Sequence, residues 1–76
     1  MSRVITVKEL VAFLQHHGFA CHNTVGSHRH YRHPTLETAT VWTHGGRNAE
    51  VTETNLRAIR RQVGYSKDDV LQFLGR

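Results

Sequence analysis

Residues 19–34 are poor in helix formers and are interrupted at Thr24-Val25-Gly26 and again at Pro34-Thr35, so the middle of this chain has to be built from short extended segments joined by turns. Segments 19–23 and 27–33 read as antiparallel strands, with Thr24-Val25-Gly26 as the tight connection between them. The β-branched run at 37–43 reads as a third strand after the Pro34-Thr35 turn. Three strands in a meander is the economical arrangement, followed by a loop over residues 44–50, which hold two glycines and Asn48.

Helical periodicity flanks this region. Thr6 and Glu9 form a capping-box pair, and Leu10, Val11, Phe13 and Leu14 recur at helical spacing, which predicts a helix over 7–17. Gly18 suits the left-handed conformation that ends a helix, with Phe19 folding back onto the last turn. Thr52 or Thr54 caps a second helix over about 54–63, where Leu56, Ile59 and Val63 form an apolar stripe, Arg57, Arg60 and Arg61 lie off it, and Gly64 closes the segment. Ser66 caps a last short helix, with Asp68 and Asp69 at its positive end and Val70, Leu71, Phe73 and Leu74 turned to the core.

The expected fold is therefore α+β: helix, three antiparallel strands, helix and short C-terminal helix, with both long helices packed on one face of the sheet and the other face free. A chain of 76 residues has room for one core, since a domain of roughly 60 residues is already marginal, and residues 1–76 are expected to form a single domain. One cysteine, Cys21, permits no internal disulfide, which fits a reducing cytoplasm. The longest apolar run near the start, around Val4 and Ile5, is far short of a signal peptide or a membrane span of about 20 residues, so neither export nor insertion is expected.

Ten Lys and Arg oppose six Asp and Glu, for a net charge of +4. Residues 16–47 hold all seven histidines together with Arg29, Arg32 and Arg47, and Glu37 is the only acid among them. A positive field concentrated in that way attracts phosphate backbones, and an anionic partner is expected.

The run from Gly26 to Pro34, Gly-Ser-His-Arg-His-Tyr-Arg-His-Pro, carries the most chemistry. In an extended segment His28, His30 and Arg32 point one way and Arg29, Tyr31 and His33 the other, and neither face is cleanly apolar. An exposed functional surface follows more naturally than a central core strand. RNA carries its own nucleophile: its 2′-hydroxyl attacks the neighbouring phosphorus if a base removes its proton and an acid protonates the departing 5′-oxygen. Histidine, with an ordinary pKa of about 6.5, does both near neutrality, and adjacent guanidinium groups stabilise the phosphorane charge. His28 beside Arg29 and Arg32 supplies both parts, and such chemistry requires neither metal nor cofactor. The plainer alternative is a solvated basic strand.

At this point the sequence resembles the HicA (YcfA-like) toxins of toxin–antitoxin pairs. Lys8-Glu9-Leu10 with Phe13-Leu14 and Gly18-Phe19 is similar to that family's first helix and its exit. Gly26-Ser27-His28 with Tyr31 is similar to its Gly-Ser-His motif, Val41 to His44 to its Val-Pro-x-His stretch, and Glu50-Val51 with Leu56-Arg57-Ala58-Ile59 to the start of its second long helix. The resemblance implies a double-stranded-RNA-binding-like fold, metal-independent endonucleolytic cleavage of mRNA, and a HicB-type antitoxin that covers the active site. It gives His28 the catalytic acid–base role. Gly26 and Ser27 would shape the start of the strand, and Arg29, His30 and Arg32 would hold the RNA backbone.

The chain departs from the family pattern at Asn23, where Arg is frequent, at Trp42, where Pro stands, and at Thr54-Asn55, where Gly-Thr stands. Trp42 is either a core side chain or a stacking platform for a base. Other readings are a non-catalytic RNA-binding module of the same fold, an interaction subunit for an acidic protein, and a zinc site drawing on His28, His30 and His33 or His44. No Asp, Glu or Cys stands in the immediate segment to complete such a site. A Ser-His hydrolase is disfavoured because Ser27 and His28 are adjacent and face opposite ways in a strand. His16 and His17 suit the negative end of the first helix.

Overall fold

The computed structural model describes residues 3–76. Its elements run α1 (Val7–His16), β1 (Ala20–Val25), β2 (His28–Arg32), β3 (Ala39–Trp42), α2 (Glu53–Val63) and α3 (Lys67–Phe73), and the antiparallel sheet has the order β1-β2-β3. This is the α-β-β-β-α arrangement expected from the sequence, closed by a short third helix. Among the described residues no helix is long and apolar enough to cross a membrane.

Local chemistry sets both ends of α1. The Thr6 hydroxyl accepts from the Glu9 N–H at 3.3 Å while the Thr6 N–H donates to the Glu9 carboxylate at 3.0 Å, so two otherwise orphaned donors are satisfied reciprocally. At the other end Gly18 adopts φ +90°, its N–H reaches the Gln15 carbonyl at 3.1 Å, and the Phe19 N–H reaches that of Leu14 at 3.0 Å. These are the paired bonds of a Schellman motif, and they deliver Phe19 into the core.

Glu9 also receives the Arg76 guanidinium at 2.6 Å. The Thr6 backbone N–H first, and Arg76 after it, hold the carboxyl below its ordinary value of 4.5, against the opposing effect of partial burial. A carboxyl lowered by folding contributes stability that is full above its unfolded value and is lost as pH falls through the folded one. We expect Glu9→Gln to flatten the acid limb of stability below about pH 4.5, read from thermal melts between about pH 6 and about pH 3. An acid limb as steep as in the parent would contradict this assignment.

The core joins Leu10, Phe13 and Leu14 of α1, Tyr31 of β2, Ala39 and Val41 of β3, Leu56 and Ile59 of α2, and Val70 and Leu71 of α3. All the sheet residues in this set project from one face, which the helices cover. Phe73, expected inward, is instead 40% exposed, because α3 is short and presents only Val70 and Leu71 to the centre.

The two sheet edges are treated differently. Along β3 the outward Trp42 N–H donates to Asn55 Oδ1 at 3.0 Å, the Asn55 amide donates to the Thr40 carbonyl at 2.9 Å, and the Thr40 N–H donates to Gln62 Oε1 at 3.0 Å. Asn55 is fully buried, and α2 thus closes this edge with side-chain amides. β1, at the other edge, is exposed along its whole length.

Two expected boundaries move. The β1–β2 connection is Gly26-Ser27 rather than Thr24-Val25-Gly26: Thr24 and Val25 stay paired with Arg29 and His28, and Gly26 takes φ +58° at the first central position, which a type II′ turn assigns to glycine. β3 is shorter than residues 37–43. The chain before it is held by His33, whose Nδ1 accepts from the backbone N–H groups of Thr35 and Leu36, each at 3.1 Å.

Candidate functional site

β2 divides the run of basic residues between two faces. Arg29 pairs with Val41 and Tyr31 with Ala39, and this side lies under the helices. His28 pairs with Trp42 and His30 with Thr40, and these residues stand with Arg32 on the open face. The pairing skips His22 between Cys21 and Asn23, a bulge that leaves His22 and Asn23 beside His30 at the border of one groove.

His28 opens β2 immediately after the Gly26-Ser27 turn. The Ser27 carbonyl anchors this turn by accepting from the Thr43 N–H at 2.6 Å and from the Thr43 hydroxyl at 2.9 Å. The His28 ring lies nearly parallel to Trp42, with centroids 5.6 Å apart and planes 18° apart. The contact fixes the plane of an exposed imidazole, and no described residue hydrogen-bonds either of its ring nitrogens. Trp42 is half-buried on the open face, beside His28 and outside the core.

His30 is oriented differently, by a 3.2 Å hydrogen bond between its Nδ1 and the Thr40 hydroxyl. Two residues of strand separate it from His28, about 6.8 Å. Arg32 follows by the same step on the same face. His28, His30 and Arg32, expected from the sequence to act together, are therefore brought together, with Gly26 and Ser27 at the turn that starts the strand.

Arg29 is not brought to this face. The Tyr31 phenol beside its guanidinium raises its already high pKa further, and Arg29 lines a hollow of about 470 Å³ on the helix side with Lys8, Arg47 and Cys21. His33 is occupied by the turn described above and packs on Phe19 at 4.9 Å. His17 is the C-cap residue of α1, and it and His16 pack against Phe13, Tyr65 and Phe73. Among the described residues no group of three or more His, Cys, Asp or Glu side chains is placed to hold a metal ion.

The fold and the site define a class: a domain of double-stranded-RNA-binding-like architecture whose uncovered sheet face bears histidine and arginine in line. The family described as the HicA toxin of bacterial toxin-antitoxin systems matches residues 7–65, and the chain belongs to that family. It is thus a toxin of a toxin–antitoxin pair, with an antitoxin as its partner. No curated protein matches the chain.

Two departures from the family pattern meet in space. Proline at position 42 would have no N–H, whereas Trp42 has one that points at α2, and Asn55 accepts it.

Proposed function

We propose that this toxin is an endoribonuclease that cleaves mRNA without a metal ion, with His28 as its acid–base residue. The observation that carries the reading is the state of His28: exposed at the end of an open sheet face, held in plane by Trp42, with no described residue occupying its ring nitrogens. An imidazole in that condition is free to take the 2′-hydroxyl proton or to protonate the leaving 5′-oxygen. His30 and Arg32 lie along the same strand to hold the backbone and stabilise negative charge on phosphorus. Arg29, on the far side of the strand, contributes to binding at a distance from the reacting phosphate. The whole chain acts as one cytoplasmic ribonuclease domain, and its antitoxin, of the HicB type, inhibits by covering the open face.

Attack by the 2′-hydroxyl leaves a 2′,3′-cyclic phosphate on one product and a 5′-hydroxyl on the other. A single 2′-deoxy substitution at the cut nucleotide should therefore abolish cleavage there, and mass spectrometry of the native products should find the cyclic phosphate. Cleavage of the deoxy substrate at the same bond would exclude this chemistry. RNA binding without any cleavage would move the protein to the alternative reading, a non-catalytic RNA-binding module.

A further inference from the structure

Beyond His28 the open face leads into a groove of about 710 Å³ between the sheet and the last turn of α2, bordered by His22, His30, Arg32, Glu37, Arg61 and Gln62. Arg61 lies on α2, a different element from the strand that carries His28, His30 and Arg32. It reaches this position because the hydrogen bonds from Asn55 and Gln62 to β3 pin α2 along the sheet edge. Neither Arg32 nor Arg61 forms an ion pair among the described residues, although Arg3, Lys67 and Arg76 all do. Two exposed guanidinium groups thus line one groove in which Glu37 is the single carboxylate.

We infer that this groove is a phosphate-binding subsite for single-stranded RNA, and that Arg61 is a determinant of substrate affinity. The inference rests on the ribonuclease reading and extends the binding surface from β2 to α2. His28, His30 and Arg32 recur every about 6.8 Å along one strand face, a step that an extended RNA backbone follows, and the line ends between Arg32 and Arg61. A stacking aromatic pair at one end and a cationic groove at the other is the combination that single strands require, since their bases are free to stack while the backbone tracks positive charge. Glu37 opposes the phosphate and keeps the subsite weak enough to release product.

The test measures affinity and its salt dependence for a labelled single-stranded RNA, in a His28→Ala background so that the RNA stays intact. Arg61→Ala should weaken binding by about three- to ten-fold and lower the slope of log affinity against log salt by about 0.7, the value for one phosphate contact on a single strand. Arg57→Ala removes the same charge from the same helix, but Arg57 lies in a hollow with Glu53 and Lys67, away from this groove, and its substitution should leave the slope unchanged. Glu37→Gln should tighten binding by about two-fold through loss of like-charge repulsion. Equal effects of Arg61→Ala and Arg57→Ala, or no effect of Arg61→Ala, would overturn the subsite while leaving the ribonuclease reading intact. No binding by the parent protein of the same RNA made non-cleavable by 2′-deoxy substitution would sink both.

Discussion

His28→Ala is expected to lower the rate of RNA cleavage by about 10²- to 10⁴-fold, the range that a positioned acid–base residue contributes, while changing stability by no more than about 0.5 kcal/mol. The two halves of this expectation have separate causes. The rate falls because, among the described residues, His28 is the one imidazole stacked on Trp42 at the start of β2. His30 is tied to Thr40, His33 is held by the turn it supports, and His16 and His17 pack at the far end of α1. Stability is nearly unchanged because His28 is exposed and its removal uncovers only one face of Trp42. A variant that melted much earlier would point to a structural role for the His28–Trp42 stack and would leave the rate loss without a chemical meaning.

Asn55→Ala should have the largest effect on stability of any substitution considered, about 2–4 kcal/mol, because it strands the Trp42 N–H and the Thr40 carbonyl without partners at a closed edge. Native stability for a chain of this size is only roughly 4–11 kcal/mol, so the melting temperature should fall by roughly 10–30 °C. A double-mutant cycle isolates the coupling. In a Trp42→Pro background the same substitution should cost about 1 kcal/mol less, since proline has no N–H to leave unsatisfied. Equal costs in both backgrounds would mean that the two departures from the family pattern are independent. The consequence reaches the site, because Asn55 helps hold α2, and with it Arg61, against the sheet.

What could be seen in the sequence divides by range. The caps at Thr6, Gly18 and Ser66 depend on neighbours within a few residues, so they were legible, as was the alternation that puts His28, His30 and Arg32 together. Which face of β2 the helices cover was not legible, because it depends on the pairing of Arg29 with Val41 and Tyr31 with Ala39, about ten residues along the chain. Arg29 and His28 are neighbours in sequence, but the alternation that separates their side chains puts Arg29 on the helix-covered side, away from His28. Thr24-Val25-Gly26 and Gly26-Ser27 share one glycine, and only the register with His28 and Arg29 decides which of them is the turn. The contacts from Asn55 and Gln62 to β3, and the approach of Arg61 to Arg32, join residues far apart in sequence and had no local signal. One local signal does lie in the sequence: His33 is followed by Pro34 and Thr35, and its imidazole nitrogen is the acceptor that organises the turn.

The most direct test of the central claim is cleavage of a labelled single-stranded RNA by the purified toxin in excess EDTA, run beside the His28→Ala protein. The account expects cutting by the parent that survives chelation and is lost in the variant. Cutting that stops with EDTA, or that persists undiminished without His28, would contradict it.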